Sequence, residues 1–197
     1  MIKGEDYRYG GWYRFDETTG AMVKGWYTTD SGAVYYYNAG NGQMEHGFVT
    51  IDNTQYLFDE TTGVLVDGKW YMTDGNEYWY EGGIRQGMEG RGKEIYDPIS
   101  DGWYWLDAVD GGKKAVSKDV YQESYAGQFA DRADGTGKWV RYDENGHMIK
   151  GFDVRNGNEV YYFDEQTGAM AKGTVVIKGV EYYFNPVTGI CERSTIL

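Results

Sequence analysis

The chain has one cysteine, Cys191, so no disulfide can form within it. It has four leucines among 197 residues. A helical or α/β core needs aliphatic side chains in quantity, and this composition does not supply them. Basic residues are outnumbered, 19 Lys and Arg against 31 Asp and Glu, for a net charge of −12. No basic stripe exists to neutralise phosphates, which argues against nucleic acid and against an anionic lipid surface. No apolar run approaches the roughly 18 residues of a membrane span, so membrane insertion is not expected. The N-terminus has no basic–apolar–small signal peptide, so an exported parent would make this chain a fragment or a mature form.

What the chain does have is rings and turns. There are 20 Tyr, 7 Trp and 30 Gly, and aromatics make up 17% of residues. Flat rings separated by turn residues suit strands and hairpins. They are also arranged periodically. The phrase Tyr13-Arg14-Phe15-Asp16-Glu17-Thr18-Thr19-Gly20-Ala21-Met22-Val23-Lys24-Gly25 returns almost unchanged from Tyr161 to Gly173. Shorter copies run from Tyr56 to Gly63 and from Val140 to Gly146. Turn glycines Gly20, Gly42 and Gly63 are 22 and 21 residues apart, and Gly146, Gly168 and Gly189 repeat those intervals.

A fixed short period means a stacked array. Each unit reads as one hairpin: a short strand, an Asp or Asn turn closed by Gly, a Met-containing return, and a Lys-Gly break. A lone hairpin of about 21 residues is not stable, but stacked hairpins bury a continuous spine. The expected fold is therefore all-β, a solenoid of β-hairpin repeats about 20–22 residues long. Residues 1–87 are expected to be hairpin repeats and 88–137 an irregular insert within the array. Residues 138–197 would hold further repeats and a C-terminal cap. Within the insert, Trp103 to Asp107 keeps a strand-and-turn signature, while Lys113 to Tyr125 is compatible with a short helix.

The pattern aromatic-aromatic-aromatic-Asp-x-x-Thr-Gly-x-Met-x-Lys-Gly-aromatic resembles the cell-wall-binding or choline-binding repeat superfamily of Gram-positive surface proteins. That grouping includes glucan-binding and clostridial-toxin repeats, and the resemblance covers most of the chain outside 88–137. It implies aromatic pockets between successive repeats that bind choline or sugars. A quaternary ammonium cannot hydrogen-bond, so its recognition needs ring faces on about three sides. The slot after the break glycine holds Trp26, Phe48, Trp70 (offset by one) or Phe152, but Thr174 in the last copy. The residue opening the ring triplet is Trp12, Trp103 or Trp139, but Val34, Gln55, Glu77, Val160 or Glu181 elsewhere. The frequent loss of that second ring favours sugar binding, where one or two exposed rings suffice.

Candidate ligand-binding residues are those where rings cluster. They are Trp12 with Trp26 and Tyr36, Trp70 with Trp79, Trp103 with Trp105, and Trp139 with Phe152 and Tyr161. His46 occupies the Lys slot, His147 the slot of Ala21, and Cys191 the Met slot, where it is expected to be a small buried substitute. Each is thus a variant of a repeated structural position, so no catalytic residue is assigned. The Asp107 to Gly112 segment lacks EF-hand spacing and reads as a turn, so neither metal nor cofactor is expected.

The expected function is a non-catalytic module holding a secreted protein at the bacterial surface. Its partners would be cell-wall glycan, glucan or choline-bearing teichoic acid. A true choline-binding module is one alternative, and a structural or protein-interaction stalk is another.

Overall fold

The repeated phrase acts first through its turn. Asp16 Oδ1 accepts from the Thr18 and Thr19 amides and from the Thr19 hydroxyl at 3.1, 2.7 and 2.8 Å. Asp59 and Asp164 repeat this with Thr62 and Thr167, and Asn38 and Asn185 bond the amides of their own turns. Each turn closes when its glycine amide donates to the Asp or Asn carbonyl, at 2.8 Å for Gly20 and 2.9 Å for Gly63. These short polar side chains replace backbone partners that a tight corner cannot otherwise supply.

A computed structural model of the chain describes residues 1–88, 92–122 and 137–197. The chain falls into two units, Met1–Glu89 and Gly90–Leu197. No α-helix occurs among the described residues.

The first unit contains β1 (Gly4–Arg8), β2 (Gly11–Phe15), β3 (Gly25–Thr28), β4 (Val34–Tyr37), β5 (Gly47–Ile51) and β6 (Thr54–Phe58). It ends with β7 (Lys69–Thr73), β8 (Asn76–Glu81) and the two-residue β9 (Ile84–Arg85). The pairs β1–β2, β3–β4, β5–β6 and β7–β8 are antiparallel hairpins, and β9 adds to β8.

The second unit begins with β10 (Lys93–Asp97), β11 (Gly102–Asp107), β12 (Lys113–Lys114), β13 (Lys118–Gln122) and β14 (Lys138–Tyr142). It continues with β15 (Gly151–Arg155), β16 (Glu159–Phe163), β17 (Gly173–Ile177), β18 (Val180–Phe184) and β19 (Cys191–Ile196). Its hairpins are β10–β11, β13–β14, β15–β16 and β17–β18; β12 adds to β11 and β19 to β18.

The all-β hairpin repeat expected from the period is thus the architecture seen. The described part of 88–137 carries hairpin β10–β11 and strands β12 and β13, while residues 123–136 lie outside the described set. The short helix compatible with Lys113–Tyr125 is not formed over its described residues. Val120 instead faces Val140 across β13–β14, and both are buried, so cross-strand burial overrides a weak local preference.

Each hairpin has an inward and an outward face, because side chains alternate along a strand. In most hairpins the last residue of the second strand and the residue two before it point inward; in β8 the inward pair is Tyr78 and Tyr80, and in β11 Tyr104 and Leu106. Phe58, Tyr142, Phe163 and Phe184 are fully buried in the last position. Removing such a ring from water contributes about 2–3 kcal/mol.

Three further contacts join one repeat to the next. The Met44 amide donates to Trp12 O and the Met170 amide to Trp139 O, both at 2.7 Å. Lysine of the Lys-Gly break caps the following turn: Lys150 Nζ donates to Gln166 O and Lys172 Nζ to Val187 O, each at 2.9 Å. Finally, the turn glycines Gly42, Gly63, Gly168 and Gly189 each lie on the methionine of the preceding repeat, whereas Gly146 lies on Lys114. A Cβ on Gly63 would come within 2.5 Å of Met44 Sδ, and one on Gly189 within 2.5 Å of Met170 Sδ. Both glycines also have positive φ, +71° and +77°, so they are required twice over.

Cys191 pairs with Phe184 just as Met170 pairs with Phe163, confirming its register. It is only half-buried, however, since no turn glycine of the described residues lies over it.

Candidate ligand-binding notches

The outward face of each hairpin has two places for rings. One is the second residue of the first strand, facing the next-to-last residue of the second strand. The other lies two residues further along, near the tip of the hairpin.

In β3–β4 and β15–β16 the rings occupy the first place. Trp26 packs edge-on against Tyr36 at 5.1 Å and against Tyr56 of the next hairpin at 5.0 Å. Phe152 meets Tyr162 at 4.9 Å and Tyr182 of the next hairpin at 5.3 Å. Phe48 and Trp70 hold the same place in β5–β6 and β7–β8, where Trp70 meets Trp79 at 5.2 Å.

In β1–β2, β10–β11 and β13–β14 the rings move to the tip. Trp12 pairs with Tyr7, Trp103 with Tyr96 and Trp139 with Tyr121, each with centroids 5.3 Å apart. All six rings are exposed. The first place in these hairpins holds an acid instead: Glu5, Glu94 or Asp119. Across from these acids stand Arg14, Trp105 and Arg141, of which Trp105 is buried.

Beside two of the tip tryptophans the surface is hollow. Glu5, Trp12, Tyr35, Met44, Thr61 and Thr62 line a cavity of about 200 Å³. Glu94, Trp103, Met148, Gln166 and Thr167 occupy the corresponding positions around a cavity of about 790 Å³, which also reaches Asp101, Lys138, His147 and Lys150. The recurring set is therefore an acid and a Trp from one hairpin, the Met after the next, and the turn of the third. Indole face, thioether and carboxylate together offer dispersion and negative potential to a small cation or a sugar.

The acids are braced differently. Arg14 Nη1 lies 3.2 Å from Glu5 Oε1 and its guanidinium stacks over Tyr27 at 4.3 Å. Asp119 is bonded by Arg141 and by Arg155 Nη1 at 3.2 and 3.1 Å, and Arg155 covers the Tyr161 ring at 4.1 Å. The surface at Trp139 is thus held more nearly neutral than that at Trp12.

Of the ten candidate residues, Trp12, Trp26, Trp103, Trp139 and Phe152 are exposed, and Tyr36 and Trp70 are half-buried. Trp79, Trp105 and Tyr161 are buried. Trp26 does meet Tyr36, and Trp70 meets Trp79. Phe152, though, packs on Tyr162, whereas Tyr161 points inward beneath Arg155. Tyr161 is two residues before Phe163 and so shares its inward face, a signal already in the strand period. Trp105 is covered by Ala115 and Val120, long-range neighbours that no local pattern reveals.

The residues that sequence reasoning overlooked are Glu5, Glu94, Met44, Tyr56 and Tyr182. The acids could have been found by aligning hairpins on their final ring. A Trp at the tip coincides every time with an acid after the first strand residue.

Among the described residues, Ser100, Tyr104 and His147 form an arrangement that looks chemical. Tyr104 Oη lies 2.8 Å from His147 Nε2 and donates to Ser100 Oγ at 2.9 Å, while Ser100 Oγ donates to Asp97 Oδ2 at 2.7 Å. Tyr104 stands between serine and imidazole, and the serine proton is directed to a carboxylate. A nucleophile needs the base against its own hydroxyl, so this is a structural bridge.

Residues 9–45 and 135–174 match the family profile described as the choline-binding repeat. They are repeats of the choline-binding type, the superfamily that the Asp-Glu-Thr-Thr-Gly phrase resembles. No curated protein matches the sequence. Among solved structures, the modular autolysin LytC from Streptococcus pneumoniae, in complex with a synthetic peptidoglycan ligand, aligns with a TM-score of 0.57 and 22% identity. The match covers 98% of this chain and 42% of LytC, so this chain spans less than half of that protein. CbpJ from Streptococcus pneumoniae TIGR4 aligns over 97% of this chain and 81% of its own at 21% identity, with a TM-score of 0.43. A truncated alternansucrase from Leuconostoc mesenteroides aligns over 80% of this chain and 12% of its own at 23% identity, with a TM-score of 0.39. The LytC likeness shows the hairpin-repeat fold.

Proposed function

We propose that this chain is a non-catalytic wall-binding module. It would attach a secreted Gram-positive protein to surface polysaccharide or teichoic acid through the exposed rings Trp12, Trp103 and Trp139 and the hollows beside the first two. The observation that supports this most is the repetition of one exposed arrangement in three hairpins, with its acid, its indole and its paired tyrosine in the same register. A fold that needed rings only for stacking would bury them; these lie outside the spine. The half-exposed rows Trp26–Tyr36–Tyr56 and Phe152–Tyr162–Tyr182 offer a second type of surface, suited to the C–H faces of a pyranose. Each notch is shallow, and several on one polymer would bind with avidity.

A choline-binding reading is favoured by one feature, the carboxylate of Glu5 in the same small cavity as Trp12. The test is cosedimentation with purified walls and calorimetric titration with choline, dextran and soluble wall fragments. Saturable binding that Trp12→Ala and Trp139→Ala weaken at least tenfold supports the module. Binding of walls that millimolar choline displaces selects the amine reading, and retention by both variants of full wall binding refutes the assignment of the notches.

A further inference from the structure

The cavity beside Trp103 differs from its counterpart beside Trp12 in size and in charge. At about 790 Å³ against about 200 Å³ it has room for a sugar of one or two rings rather than a single small head group. The additional lining is also distinctive. Where the first unit has Ala33, Gln43 and His46, the second has Lys138, His147 and Lys150 at the same repeat positions.

The turn Gln166–Thr167 organises these cations. Lys150 Nζ donates to Gln166 O at 2.9 Å and Lys138 Nζ to Thr167 O at 2.7 Å. Two ammoniums on consecutive carbonyls give the rim a converging set of N–H donors, whatever else each touches. Elsewhere the capping lysine stands alone: Lys24 on Gly40 O and Lys172 on Val187 O. His147 is positioned by Tyr104, whose hydroxyl meets its Nε2. Across the same cavity lies the Trp103 indole, 55% exposed. Glu94 and Asp101 supply acceptors of the kind that sugar hydroxyls use.

From this we infer that the Trp103 cavity takes an acidic saccharide, its ring against the indole and its carboxylate or phosphate against His147 and Lys150. The inference rests on the wall-binding reading and names the sugar class for one of its sites. An ammonium–oxyanion bond is charge-assisted, and it is strengthened where the donor is already fixed by a second partner. A neutral sugar could stack on Trp103 but would leave those donors to water, so the site discriminates by charge.

The test is calorimetric titration of the whole chain with N-acetylmuramic acid, with glucosamine 6-phosphate and with neutral N-acetylglucosamine. At least one acidic sugar should bind ten times more tightly than the neutral one, with affinity falling as salt rises. Preference for the carboxylate points to the peptidoglycan strand, and preference for the phosphate to a phosphate-bearing polymer. Lys150→Gln and Trp103→Ala should each abolish the preference. Lys24→Gln, which removes the same capping bond from the first unit, should leave it intact and controls for loss of fold, monitored by thermal unfolding. Equal affinity for acidic and neutral sugars, or an equal effect of Lys24→Gln, overturns the inference. If walls still bind while no acid preference appears, only the inference fails; if walls, amines and sugars all fail to bind, the wall-binding reading fails with it.

Discussion

Hairpins β1–β2 and β13–β14 carry Trp at the tip and an acid near the base, whereas β3–β4 and β15–β16 carry a ring near the base and Val34 or Val160 at the tip. All four share the inward ring, the Asp or Asn turn and the closing glycine. The scaffold and the binding surface are therefore written on opposite faces of the same strands. The inward face is fixed by stacking, because each repeat must receive its neighbour. The outward face can move its ring by two residues without disturbing that ladder, since a shift of two keeps the side chain on the same side.

The largest effects should come from breaking what the two kinds of hairpin share. Gly63→Ala and Gly189→Ala put a methyl both into a positive φ and against a methionine sulfur. Each should destabilise its unit by about 3 kcal/mol, read from the urea midpoint. Gly47→Ala and Gly173→Ala have positive φ but open space, and should cost about 1 kcal/mol. Gly63 follows a hairpin with Phe48 on its outer face, and Gly189 one with Thr174 there. Similar losses at both would show that the ladder is indifferent to the outer rings.

Binding should respond in the opposite way. Trp12→Ala and Trp139→Ala should lower wall affinity about tenfold or more, some 1.4 kcal/mol, with unfolding midpoints nearly unchanged. Trp26→Ala should instead cost about 3 kcal/mol of stability, because Trp26 bridges Tyr36 and Tyr56 of successive hairpins. If Trp12→Ala unfolds the first unit as readily as Trp26→Ala, the separation of faces is wrong.

A smaller effect distinguishes Asp turns from Asn turns. The Asp16, Asp59 and Asp164 carboxyls are held below the usual carboxylate range, foremost by the backbone amides of Thr19, Thr62 and Thr167. A lowered native pKa stabilises the fold fully above the unfolded value, about pH 4, and that contribution is lost as pH falls through the native value. Asn38 and Asn185 make equivalent amide bonds without titrating. Replacing all three aspartates by Asn should preserve the fold at neutral pH and flatten the decline of its unfolding midpoint as pH falls below the unfolded value. The smallest change is expected for Lys172→Gln, which removes one exposed cap on Val187 O and should cost about 0.5–1 kcal/mol.

The sequence shows the inner face well and the outer face poorly, for a physical reason. Stacking forces every repeat to present the same residues inward, so Gly20, Gly42, Gly63, Gly146, Gly168 and Gly189 recur and reveal the period. The Lys-Gly break and the Asp turn recur for the same reason. Ligand positions carry no such constraint, and their rings shift between two places. Tyr161 could still have been recognised as inward from its distance to Phe163. Trp79 and Trp105 could not, because alternation sets them opposite the buried rings of their own strands, and each is covered where a short added strand, β9 or β12, pairs beside it. The cavity at Trp103 depends on residues from Glu94 to Thr167, and its lysines read in isolation as ordinary capping residues.

The most direct measurement is a paired set of quenching experiments on single-tryptophan variants that retain only Trp12 or only Trp79. Purified wall fragments should shield Trp12 from a soluble quencher in a saturable manner and leave the buried Trp79 signal unaltered. A Trp12 signal that walls never protect, at concentrations where the chain sediments with them, would contradict the account.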